Sequence, residues 1–126
     1  MARSYRQLLV WQKAKTLAVL VYKVTENFPK SETYGLTSQM RRAAVSVASN
    51  IAEGQGRLTV GEFRYFLGQA RGSLLELETQ IAIARDLNLV DSETHDSADQ
   101  QCYQVLGLVN RLLESLRSRN LETLKP

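Results

Sequence analysis

One cysteine, one histidine and two prolines occur in 126 residues, and each scarcity excludes a class of protein. Cys102 alone cannot close an internal disulfide, which rules out a stapled secreted scaffold and points to a reducing cytoplasm. His95 alone cannot supply the Glu-x-x-His pairs that a di-iron bundle needs on two helices. It lies among Asp91, Glu93 and Asp96, where a solvent-facing or capping role outweighs ligation or catalysis. Few prolines and glycines leave little room for disorder. The longest apolar run near the start, Leu17 to Tyr22, is far short of the roughly 20 residues of a membrane span, and no cleavable signal pattern precedes it. Gly54-Gln55-Gly56 has neither the Lys-Ser/Thr nor the preceding strand of a phosphate-binding loop. No catalytic residue, metal or cofactor is expected.

The length fits one domain, residues 1–126, with a single core. The net charge of +3 permits an acidic partner without demanding one. Its distribution is uneven: Arg3, Arg6, Lys13, Lys15, Lys23 and Lys30 face only Glu26 near the start, whereas residues 91–126 are net acidic.

Val60, Phe63, Leu67, Ala70, Leu74, Leu77, Ile81 and Ala84 recur at alternating steps of three and four, the seam of one long helix. Thr59 with Glu62 predicts a capping box at its start. Val10, Ala14, Leu17, Val21, Val24 and Phe28 form a second seam, stopped by Pro29. Ala98, Cys102, Val105, Val109, Leu112 and Leu116 form another, after an Asp91-Ser92 start and before Arg117 and Arg119. No alternating segment predicts a strand, and the joints are short. The expectation is all-α: an antiparallel up-and-down four-helix bundle with helices at about 8–28, 36–54, 60–88 and 92–119.

The second helix is built from small residues. Leu36, Met40, Ala43, Ala44, Val47 and Ile51 make its core stripe, while Val45, Ala48 and Ala52 carry the apolar arc further round. Gly61, Gly68 and Gly72 give the third helix a comparable small surface. Both sets are candidates for close packing, against a neighbouring helix of the same bundle or against another subunit. Ser46, Asn50 and Glu53 are candidates for structural polar roles, Ser46 and Asn50 by fixing helix register through hydrogen bonding. Gly54 and Gly56 suit a stop with a left-handed backbone.

The segments SQMRRAAVSVASNIAEGQGR and GEFRYFLGQARGSLLELETQIAIA, with LLVWQKAKTLAVLVYKVTENFPKSETYGLT upstream, together resemble the four helix bundle proteins of the 23S ribosomal RNA intervening-sequence family. The likeness runs from about Leu9 to Leu89. It implies a bacterial four-helix bundle assembling as a homopentameric ring. A related branch, the accessory protein of diversity-generating retroelements, binds nucleic acid and a reverse transcriptase, so the resemblance also implies RNA, DNA or a nucleic-acid-processing protein as partner. Two departures stand out: Ala48 replaces a common proline, and LTVGEF follows Arg57 where the family often carries several basic residues.

Arg6 and Lys13 are seven apart on the first helix, and Arg64, Arg71 and Arg85 share a heptad position on the third, interrupted by Glu78. Arg6, Lys13, Arg41, Arg42, Arg57, Arg64 and Arg71 are therefore the candidate phosphate contacts, with weak base specificity expected. Tyr5, Tyr34 and Tyr65 are candidates for stacking on bases, whereas Trp11, Phe63 and Phe66 belong to packing. The function expected is a non-catalytic, oligomeric, cytoplasmic adaptor that binds nucleic acid. The alternative is a purely structural or protein-interaction ring in which these arginines form intersubunit pairs with Glu53, Glu76 or Glu78 and nucleic acid does not bind.

Overall fold

The computed structural model describes residues 4–124, and side chains as far as Arg117. Arg3 and the side chain of Arg119 lie outside the described residues. A 3-10 turn at Tyr5–Gln7 leads into α1 (Leu9–Thr25), and a second at Lys30–Glu32 precedes α2 (Leu36–Gln55). Then follow α3 (Val60–Asp86) and α4 (Ser92–Leu124), with no strand among the described residues. α1 ends before Phe28, and α4 runs past Arg119 to Leu124.

The helix ends have identifiable causes. The Thr25 hydroxyl, at the last residue of α1, donates to Val21 O at 2.7 Å, and Arg41 reaches across from α2 to bond Thr25 Oγ1 at 2.8 Å and Tyr22 O at 3.3 Å. The guanidinium thereby adds a charged donor to a carbonyl that already accepts from Glu26 N at 3.1 Å, and sets its charge at the negative end of the helix dipole. α2 starts at Gly35, which has no side chain to cap with; Glu32 supplies the carboxylate instead, accepting from Leu36 N at 3.0 Å. Before α3, Thr59 Oγ1 accepts from Glu62 N at 3.1 Å and donates to Glu62 Oε1 at 3.0 Å. This corrects the reciprocal capping box expected there: the Glu62 carboxylate meets the Thr59 hydroxyl, not its backbone N–H. Asp91 Oδ1 accepts from Thr94 N at 2.7 Å ahead of α4, and hydrogen bonding to Thr94 holds its carboxyl below the usual range.

The glycine stop expected after α2 is also corrected. No described glycine has a positive φ; Gly56 sits at φ −81° and Gly54 lies inside α2. The left-handed residue is Asn88 at φ 60°. There Asn88 N bonds Arg85 O at 2.9 Å and Leu89 N bonds Ala84 O at 2.8 Å. Those two bonds make a Schellman closure of α3, with asparagine at the position glycine usually takes.

One core joins the four helices. α2 packs on α1 and α3, and α4 packs on α3 and α1, leaving α1 and α3 diagonally opposed. Leu17, Met40, Ile51, Leu67, Leu74, Leu77 and Leu116 are fully enclosed; each such side chain contributes roughly 1.5–3 kcal/mol of burial. The seam residues Leu67, Ala70, Leu74, Leu77, Ile81 and Ala84 are buried, and Val60 and Phe63 are half-buried at the open end of the same seam.

The most extensive helix contact is α2 with α3. Its tightest point is Gly54, where an added Cβ would stand 2.8 Å from Phe63 Cδ1, 3.0 Å from Phe66 Cβ and 3.2 Å from Phe63 O. Gly54 is thus a spacer between helices and not a helix stop.

Candidate nucleic-acid interface

The seven candidate phosphate contacts divide by what already holds them. Arg41 is engaged at the end of α1 and lies 4.5 Å over the Tyr22 ring. Arg57 pairs with Glu53 at 2.8 Å and lies 4.6 Å over Phe66. Arg71 Nε donates to Asn110 Oδ1 on α4 at 3.0 Å. Arg64 is half-buried and its Nε is enclosed without a partner. Arg41, Arg57 and Arg71 thus already have partners within the chain, and Arg64 is partly enclosed. Arg6 is exposed beside Tyr5 at 5.7 Å, and Lys13 is exposed between α1 and α4. Arg42 is exposed and forms no hydrogen bond or ion pair with the described residues.

One face does gather cations. Two shallow grooves of about 540 and 550 Å³ cross the α1–α2 surface and share Tyr22, Arg41 and Val45. Lys15, Lys23 and Glu26 border one, and Arg42, Thr33, Thr37 and Ser38 border the other. Lys15, Lys23, Arg41 and Arg42 therefore surround an apolar strip of Val19, Tyr22 and Val45, against the single acid Glu26. Lys15, Val19, Tyr22 and Lys23 were absent from the candidate set, although their spacing of four, three and one places them on one side of α1. Their juxtaposition with Arg41, Arg42 and Val45 comes only from the docking of α2.

The stacking candidates scatter. Tyr5 packs edge-on against Trp11 at 5.0 Å, Tyr65 against Phe66 at 5.2 Å, and Tyr34 is almost fully exposed. Trp11 and Phe63 pack against the core, as expected of them.

The small-residue sets do not meet one another within the chain. Val45 is exposed over α1, while Ala48 and Ala52 are half-buried on the same flank of α2. Gly61, Gly68 and Gly72 are exposed on α3, and an added Cβ at each would meet nothing within 4 Å. At about 100° per residue, Tyr65, Leu75, Thr79 and Ile83 share their side, opposite the core, and all four are exposed.

On the other flank of α2, Asn50 Nδ2 donates to Ser46 O and Ser46 Oγ, each at 2.9 Å, and Ser46 Oγ lies 2.8 Å from Ser73 Oγ on α3. Glu53 is exposed and holds Arg57.

Between α3 and α4 the charges are less well satisfied. Glu78 is half-buried with Oε1 enclosed and unpartnered, and burial together with Asp99 raises its pKa. The Cys102 thiol beside it is fully buried, and burial with the charges of Glu78 and Asp99 pushes it up to about 12, so it carries no thiolate for chemistry. His95 hydrogen-bonds Asp96 at 3.0 Å and lies 3.5 Å from Arg85. No cluster of three metal-ligating residues occurs among the described residues. No described helix is long and apolar enough to cross a membrane.

Four helices sharing one core, with a cationic face across the first two and no strand among the described residues, define an all-α protein of the four-helix class. Residues 6–111 match the family model for the 23S rRNA-intervening sequence protein, and the chain belongs to that family. A crystal structure of a protein of unknown function from the S23 ribosomal protein family of Bacteroides thetaiotaomicron has the same fold. It superposes with a TM-score of 0.76 at 19% identity, over 83% of this chain and 98% of that one. No curated protein matches the sequence.

Proposed function

We propose that the chain is a non-catalytic, cytoplasmic adaptor, an antiparallel up-and-down bundle that assembles into a ring and binds nucleic acid through the α1–α2 face without strong sequence specificity. The observation that supports this best is the grouping of Lys15, Lys23, Arg41 and Arg42 around one surface with Glu26 as its single acid. A polyanion bound there releases counterions, and a symmetric assembly repeats the face so that one strand engages several copies. Support for assembly comes from α3. Gly68 and Gly72 inside α3 cost about 1 kcal/mol each relative to alanine, and neither they nor Gly61 in the first turn has a steric reason inside the chain. A helix from another copy is the partner that would use the room.

The second reading, a structural or protein-interaction ring without nucleic acid, draws on Arg41, Arg57 and Arg71 being engaged within the chain. Binding of labelled RNA and DNA at about 50 mM salt, where phosphate contacts are strongest, separates the two. Measurable affinity that falls steeply with added salt supports the adaptor; no binding of either polymer rejects it. Light scattering tests the ring: a concentration-independent mass of 14.2 kDa would remove it.

A further inference from the structure

We infer that the α1–α2 face selects single-stranded over duplex nucleic acid by receiving an unstacked base beside the Tyr22–Arg41 pair; the inference rests on the nucleic-acid reading above. A surface that only tracked duplex phosphates would need cations and polar donors. This one places cations around an apolar strip: Val19, Tyr22 and Val45 are 48%, 45% and 42% exposed. The outside of a duplex presents phosphates and sugars, so that strip would stay unsatisfied against it. A single strand has base faces to cover the strip while its phosphates meet the rim.

The pair at the centre is held in place before any ligand arrives. The Arg41 guanidinium lies 4.5 Å over the Tyr22 ring, tied by Nε to Thr25 Oγ1 and by a terminal nitrogen to Tyr22 O. Thr25 is itself buried and bonded to Val21 O. A planar cation fixed against an aromatic ring offers a stacking surface at little ordering cost. Arg41 is then a positioning group for bases, which explains why it is anchored where a phosphate contact would need to be free.

The phosphate contacts fall to Lys15, Lys23 and Arg42, none of which has a hydrogen bond or ion pair with the described residues, although Lys15 Nζ lies 5.2 Å over the Trp11 ring and would have to leave it. Thr33, Thr37 and Ser38 border the groove beside Arg42, and their hydroxyls can both donate to and accept from sugars and base edges. With about three phosphates neutralised per subunit, the slope of log affinity against log salt for a single strand is roughly −2 per subunit engaged.

The test uses the full chain and fluorescence anisotropy with a labelled oligouridine of about 16 nucleotides, the upper end of single-strand site sizes, against a DNA duplex of equal length. The single strand is expected to bind at least about tenfold more tightly, equivalent to one stacked base. Tyr22→Ala should remove most of that preference while duplex affinity holds, and Tyr22→Phe should keep it. Lys23→Gln should weaken both polymers and flatten the salt slope by about 1. A 2-aminopurine base in the strand should be quenched on binding, and the quench should be lost in Tyr22→Ala. Equal or tighter duplex binding, or a Tyr22→Ala variant that binds the strand like the parent, overturns single-strand selection and leaves general nucleic-acid binding standing. Absence of binding to both polymers at about 50 mM salt overturns both. Preferential capture of polyglutamate over oligouridine would make the face a site for acidic proteins and overturn the inference as well.

Discussion

Gly54 and Gly68 are both helical glycines, and the same substitution should act on them with opposite sign. A methyl group at Gly54 would press on Phe63 and Phe66, with the Phe63 carbonyl behind them. Overpacking of that kind costs about 1–3 kcal/mol and outweighs the roughly 1 kcal/mol gained in helix propensity. Gly54→Ala should therefore lower the denaturant midpoint. Gly68→Ala meets open space and should raise the stability of the isolated subunit by up to about 1 kcal/mol. Cys102 supplies another residue-scale prediction. With its thiol pushed up to about 12 and fully buried, native protein at pH 8 should resist iodoacetamide for as long as it stays folded and react on addition of denaturant; rapid native labelling would contradict the burial. Sequence placed Cys102 on a seam correctly, because seam spacing reports burial. It misread Gly54, because glycine at a helix end and glycine under another helix look alike until the second helix is docked.

Between elements, α3 and α4 meet with Glu78 next to Asp99 and Cys102. Burial and the like charge of Asp99 raise the Glu78 pKa above its ordinary value of 4.5. The native state therefore keeps a proton that the unfolded state has released. Below 4.5 both states are protonated and Glu78 has no differential effect; as pH rises from there through the folded value, stability falls and then levels off. Glu78→Gln removes that loss. Thermal melts should show variant and parent close together at the acid end and the variant more stable at neutral pH, whereas a constant offset across the range would point to altered packing instead. The heptad position shared by Arg64, Arg71, Glu78 and Arg85 was legible as a stripe. That it faces α4, with Arg71 bonded to Asn110 and Arg85 near His95, was not, since heptad spacing gives a common side and not the neighbour that occupies it.

For the whole molecule, the outer side of α3 carries Gly61, Tyr65, Gly68, Gly72, Leu75, Thr79 and Ile83, all exposed and uncharged. If this furrow seats another copy, Gly72→Glu should reduce the mass measured by light scattering, because a charged side chain would be buried without a partner. The subunit's helical circular dichroism should persist, since nothing lies within 4 Å of the new Cβ. An unchanged assembly mass would exclude this face as the contact. Loss of assembly should also weaken nucleic-acid binding by removing multivalency, even though Gly72 lies on α3 and the cationic face on α1 and α2.

The amino-acid pattern alone determined four helices, their approximate ends and most of the core, because burial on one side of a helix repeats at a period that can be counted. It also singled out Ser46 and Asn50, which hydrogen-bond one another and reach Ser73. Which cations are free was decided by the tertiary structure. Arg41 is anchored at the end of α1, Arg57 on Glu53 and Arg71 on Asn110, while Lys23 and Arg42 have no partner beside Tyr22 and Lys15 lies over Trp11. A guanidinium's availability depends on acceptors brought near it by other helices, and those distances exist only once the helices have packed.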